Sequence, residues 1–146
     1  MNETTGDPFQ LIRFVEAQDT VFAQVRDELK RGHKRGHWMW FIFPQIAGLG
    51  TSEMSRRFAI SSAGEAEAYL EHPVLGMRLK DCAGLVLKQS GKSAFDIFGT
   101  PDDMKFRSSM TLFAAVRPGS SVFEDNLKKY FGGIPDPRTR IQIAEK

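Results

Sequence analysis

Five helix starts are written into the 146-residue chain, and they constrain its fold more than any other feature. "DPFQ" sets Asp7 as a cap ahead of Pro8, and "TPDD" repeats the device with Thr100, Pro101 and Asp103. Proline has no amide hydrogen to donate and tolerates only the first turn, so each of these stretches marks a beginning. "SAGE", "SAFD" and "SVFE" place Ser62, Ser93 and Ser121 three residues before Glu65, Asp96 and Glu124. A serine hydroxyl at such a position accepts from a free first-turn amide, and an acidic side chain returning to the serine's own amide closes a capping box. The two glutamates fit that box, and the aspartate is its shorter variant.

Apolar spacing agrees with the caps. Phe22, Val25 and Leu29 share one face of a helix beginning near Asp19, and Leu75, Leu79, Cys82 and Val86 form a stripe on another beginning near Pro73. Phe106, Met110 and Phe113 mark a third buried face; Phe123, Leu127, Tyr130 and Phe131 mark a fourth, stopped by Gly132 and Gly133. The expected fold class is therefore mainly α, a compact single-domain array of six to eight short helices. One helical domain spans 1–146, with its core over residues 7–137. Residues 1–6 and 138–146 are expected to be frayed tails, unless Pro137 opens one last turn. Residues 38–43 are apolar throughout, so periodicity does not separate a short buried helix from an extended segment; Pro44 only turns Phe43 away from helical angles.

Totals exclude several classes. The longest unbroken apolar run is residues 38–43, far short of the roughly 20 needed to cross a bilayer, and "MNETTGDPFQ" has no signal-like character, so a cytoplasmic location is expected. Cys82 is the single cysteine, which excludes an internal disulfide and a cysteine-based zinc site. A net charge of +2 does not announce a nucleic-acid binder, and charge distribution matters more than the sum.

The densest candidate for chemistry is "RGHKRGHWMWFIFPQ", residues 31–45. His33 and His37 have the spacing of a helical metal pair, but Gly32 and Gly36 oppose that helix and no third ligand has a matching spacing, so neither metal nor cofactor is expected. Lys30, Arg31, Lys34 and Arg35 form a basic patch interleaved at its end with Trp38 and Trp40; it is suited to phosphate or a stacked base, and equally to a helix end beside ordinary core tryptophans. "GLGTSE" is a glycine-rich turn without the lysine of a P-loop, read as a turn. In "TPDDMKFRSSMTLF", Asp103 and Arg107 lie four residues apart at a core margin, with Ser108 and Ser109 as packing residues or pocket hydroxyls. Cys82 reads as an inert core thiol and His72 as a surface residue at a helix entrance.

At "HWMWFIFPQIAGLG", "HPVLGMRL", "DIFGTPDDMKFRSSMTLF" and "FGGIPDP" the chain resembles a bacterial family of proteins of unknown function, number 1810 in the domain-of-unknown-function series. Some members carry a calpastatin label that nothing in this sequence supports. The resemblance runs from about Asp7 to Pro137 and implies a compact, mainly helical domain similar to a mycobacterial protein of known fold. It implies no activity, substrate or catalytic residue.

Three functional readings follow. The first is a binder or enzyme for a small anionic ligand, phosphate- or nucleotide-like, held by Arg35, His37, Trp38, Trp40, Gln45 and Arg107, with His37 as the best candidate for proton transfer because its ordinary pKa is near neutrality. It requires His37 and Arg107 to approach one cavity. The second is an interaction module gripping nucleic acid or an acidic protein through residues 30–37, and the third is a scaffold without ligand.

Overall fold

The computed structural model describes residues 6–119 and 121–145. They are 64% helical with no strands, in one compact domain. The ten helices are α1 (Ile12–Asp19), α2 (Phe22–Arg31), α3 (Met39–Ile42), α4 (Glu53–Arg57), α5 (Ala63–Glu71), α6 (Leu75–Leu87), α7 (Ala94–Phe98), α8 (Asp102–Val116), α9 (Val122–Phe131) and α10 (Pro137–Glu145). Ten exceeds the expected six to eight because α3 and α4 are single turns of four and five residues, too short to imprint an apolar period. Residues 38–43 take the helical alternative through α3, and the helix ends at Phe43, as Pro44 requires.

The serine caps form as read. Ser62, Ser93 and Ser121 accept from the amides of Glu65, Asp96 and Glu124. Among these three starts only the aspartate closes the box, with Asp96 returning to the Ser93 amide. Glu65 is drawn instead to Ser61 and the Arg13 guanidinium, and Glu124 to the Gly119 amide. Replacing Ser93 with alanine removes the hydroxyl half of that box at the start of α7, which delivers Ile97 and Phe98 to the core; the expected loss is about 1 kcal/mol in urea unfolding. The proline starts are displaced. The Asp7 carboxylate accepts from Leu11 and Ile12, so α1 begins at Ile12 after a turn, and α8 begins one residue beyond Pro101.

All four apolar stripes are inward. Val25, Leu29, Leu75, Cys82, Val86, Phe106, Met110 and Phe113 are fully buried. The central helix is α8, which packs against α5, α7, α9 and α10, while α6 packs against α2, α5 and α9. Aromatic rings fill the junction: Phe106 meets Phe43 edge-on at 4.9 Å and stacks on Phe98 at 4.7 Å. The expected tail at 138–146 is instead α10 through Glu145, because Thr139 is buried and Asp136 caps the helix from Thr139's amide and hydroxyl. Residues 1–5 of the other expected tail lie outside the described residues.

One connection positions the site. After α3 the chain runs beside residue 60: the Ile60 amide donates to Gln45 O and the Ala47 amide to Ile60 O, an isolated parallel bridge. This fixes Gln45 and hangs the loop 48–52 between α4 and α10. Gly48 has φ +99°, and a Cβ there would meet the side-chain amide of Gln142 at 2.7 Å, so α10 rests directly on glycine backbone.

Candidate functional site

The stretch "RGHKRGHWMWFIFPQ" divides around a residue that its spacing does not single out. Glu28, near the end of α2 and 6% exposed, accepts from the amides of Arg35 and Gly36 and from Trp38 Nε1 with one carboxylate oxygen, and from Gln24 with the other. Burial raises its pKa, but the donors from Gly36, Arg35, Gln24 and Trp38 outweigh that and hold the carboxyl at about 2. Residues 33–38 are thereby folded back onto α2.

The consequences for the expected site residues are specific. Trp38 is core, with its indole nitrogen on Glu28. Arg35 and His37 are exposed. The Lys34 side chain is 8% exposed and forms an ion pair of 2.8 Å with Asp102, and Arg31 pairs with Asp27, so two of the four cations in the basic patch are engaged. Arg107 does not join Asp103 in an ion pair. Its guanidinium donates to the carbonyls of Ile134 and Pro135, fastening the chain ahead of α10. Ser108 bonds Asp136, while Ser109 Oγ is buried without a partner.

Trp40 and Gln45 are brought together. They line a cavity of about 190 Å³ with Ile46, Ala47, Phe58, Ala59 and Arg56. Gln45, Gly50 and Ser55 also line a neighbouring cavity of about 380 Å³, whose far wall is Met104, Lys105, Ser108, Asp136 and Arg138. The shared residues make the two cavities adjoining lobes of one cleft between the loop 45–55, α8 and α10. His37 and Arg107 line neither lobe. The shared cavity required of them is therefore absent from this cleft, because Glu28 turns the 33–38 loop one way and the 134–135 carbonyls hold Arg107 another.

The electrostatics of the cleft favour an anion. Lys105 Nζ is 3.7 Å from Asp102 Oδ1, whereas Lys34 holds the other oxygen of the same carboxylate at 2.8 Å. Asp102 is thus committed to Lys34 and only loosely to Lys105, which lies 5.3 Å from the Trp40 ring centre. Arg138 donates from one terminal nitrogen to Leu49 O, and a guanidinium has further donors to offer. Against Lys105, Arg138 and Arg56 stand two carboxylates: Asp102, shared between Lys34 and Lys105, and Asp136, already accepting from Ser108 and Thr139. A cleft with this excess can hold a negative group. Lys105, Arg138 and Ser55 are not legible in the sequence: Arg138 falls in the expected tail, and no periodicity reports that α10 packs on α8.

Other candidates recede. Burial, and then the neighbouring Asp81, pushes the Cys82 thiol up to about 12, so it is neither nucleophile nor ligand near neutral pH. His33 and His37 lie beyond the end of α2 at Gly32, off any common helix, and no group of three metal-ligating side chains forms among the described residues. Among the described residues no helix is long and apolar enough to cross a membrane.

Residues 8–143 match the family model described as protein of unknown function, DUF1810. The fold is similar to the crystal structure of the conserved hypothetical protein Rv1873 from Mycobacterium tuberculosis, with 53% sequence identity, a TM-score of 0.93, and coverage of 94% of this chain and 99% of that one. No curated protein matches the chain. The quoted motifs, the match over nearly the whole length and the shared helical architecture agree: this chain belongs to the DUF1810 family.

Proposed function

We propose that the protein binds a small anionic molecule in the cleft between the loop 45–55, α8 and α10. The observation that carries this reading is the convergence of Lys105 and Arg138, from two helices, on one cavity of about 380 Å³, a volume within the range of small-ligand sites. Ser55, Ser108 and Gln45 add polar groups that can orient the ligand. Arg35, His37, Trp38 and Arg107 act elsewhere in this reading, as surface, core and strap residues. A cytoplasmic setting belongs to the same reading, supported by a single buried cysteine without a partner.

A thermal-shift screen of inorganic phosphate, sugar phosphates, nucleotides and carboxylic acids tests it. A ligand present at 100 times its Kd stabilises the folded chain by about 2.7 kcal/mol, which moves the melting temperature by several degrees. Lys105→Ala and Arg138→Ala are each expected to weaken a hit roughly tenfold, the worth of one charge-assisted contact. A hit untouched by either substitution, or no anionic hit at all, overturns the reading. Salt separates it from the module reading: binding to a nucleic-acid backbone collapses between 50 and 200 mM salt, while the cleft ligand loses far less.

A further inference from the structure

The two lobes of the cleft differ in the side chains that line them: the aromatic rings of Trp40 and Phe58 belong to the smaller, and Lys105 and Arg138 to the larger. The smaller lobe is walled by Trp40, Ile46, Ala47, Phe58 and Ala59, and Arg56 also lines it. It opens past Gln45 and Ser55 into the lobe that carries Lys105 and Arg138. Lys105, 5.3 Å from the Trp40 ring centre, stands at the junction. An apolar cavity of about 150 Å³ is enough to hold benzene. The smaller lobe, at about 190 Å³, therefore has room for one six-membered ring, and a fused second ring would have to project through its open side into the lobe that carries the cations.

We infer that the ligand is a single-ring molecule bearing one phosphate or carboxylate group, with the ring in the Trp40 lobe and the anion on Lys105 and Arg138. This rests on the anion-binding reading above and adds the ring. Trp40 is partly exposed at the lobe, and an aromatic or sugar ring laid against it removes apolar surface of both from water. Gln45, fixed by the bridge to residue 60, lies on the boundary between the lobes, where its amide can meet a ring substituent or the anion. Among nucleotide-like ligands, a pyrimidine base suits the smaller lobe better than a purine.

The test is a titration of the full chain by calorimetry with two pairs of ring-bearing and ringless ions, phenyl phosphate against inorganic phosphate and benzoate against acetate, and with 1-naphthyl phosphate and 1-naphthoate as the larger rings. At least one single-ring acid is expected to bind tenfold or more tightly than its ringless partner, and the pair in which this happens identifies the head group. The corresponding naphthyl acid is expected to lose that gain. Ala47→Leu fills the smaller lobe without touching the Ala47 amide bond to Ile60 O, and it should return the single-ring acid to the affinity of the ringless ion. Ala59→Leu serves the same purpose if the first variant does not fold. Lys105→Ala should weaken ring-bearing and ringless ions alike. If ringless ions bind through Lys105 and the ring adds nothing, the ring lobe is overturned and the anion reading stands. If naphthyl acids bind as tightly as phenyl ones, or the filled variants keep the gain, the inference is also overturned. If no ion binds, the anion reading falls and takes the inference with it.

Discussion

Replacing Gly76 with alanine lowers the melting temperature by on the order of 10 °C, whereas the same substitution at Gly84, two turns along the same helix, raises it. Both glycines stand between apolar neighbours on α6, and their surroundings are opposite. A Cβ on Gly76 would lie 2.0 Å from the carbonyl oxygen of Leu70, at the end of α5, while one on Gly84 meets nothing within 4 Å. In a helix interior alanine is favoured over glycine by about 1 kcal/mol, and at Gly84 that preference acts alone. At Gly76 it is outweighed, since a backbone oxygen cannot swing aside as a side chain can.

The obstruction is locked from both directions. His72 Nδ1 accepts from the amides of Val74 and Leu75, the Gly76 amide donates to His72 O, and Leu70 and Leu75 are both buried. Separating α5 from α6 to admit a methyl group breaks this corner, at a cost of roughly 3 kcal/mol, the upper end of over-packing effects. Thermal melts of the two variants under identical conditions decide the matter, and shifts of the same sign sink the account.

The second large effect is at Glu28. Alanine there strands the amides of Arg35 and Gly36 and the indole of Trp38, three donors that now converge on one buried oxygen, and the expected loss is about 3 kcal/mol or more. Glutamine keeps an acceptor in place, so Glu28→Gln costs less at neutral pH and carries a distinctive pH signature. The folded carboxyl titrates at about 2 against an ordinary 4.5, which corresponds to roughly 3 kcal/mol of stability above the unfolded value. A depressed pKa contributes fully above pH 4.5, and the contribution is lost as pH falls from there toward 2. The wild-type chain therefore loses this increment on acidification and Glu28→Gln does not, so the stability gap between them narrows between pH 4.5 and 2. Urea unfolding across that range measures it; a gap that stays constant shows that the ionised carboxylate is not what holds the loop.

Glu28 also explains how far the opening stretch was legible. The basic run ending α2, the glycine at residue 32 and the aromatic segment stopped by Pro44 were all local, and they formed as read. The fate of Lys34 was not local, because its partner, Asp102, comes from the start of α8. Arg107 lies on the helix its spacing predicts, but its partners are not local. Its i−4 neighbour Asp103 was the only charge the chain's spacing could offer, while the carbonyls of Ile134 and Pro135 arrive only when the segment before α10 returns to α8. Ser62, Ser93 and Ser121 were the easier cases, since each cap bonds an amide three residues away and needs no tertiary partner.

The amino-acid sequence by itself determined the helical class, the three serine-capped starts, the four apolar stripes and the fate of Cys82. Each depends on residues within a few turns of one another, where backbone geometry converts spacing directly into position. Tertiary structure alone decided the cleft. Trp40 and Gln45 come from the aromatic segment, Lys105 from α8 and Arg138 from α10, and they share a boundary only because Gly48 admits α10 against the loop and Arg107 straps its approach to α8. Periodicity specifies which face of a helix is buried, not which helix will cover it, so the residues expected at the site were divided between a cleft, a core and a loop held by a glutamate twelve residues before the second tryptophan.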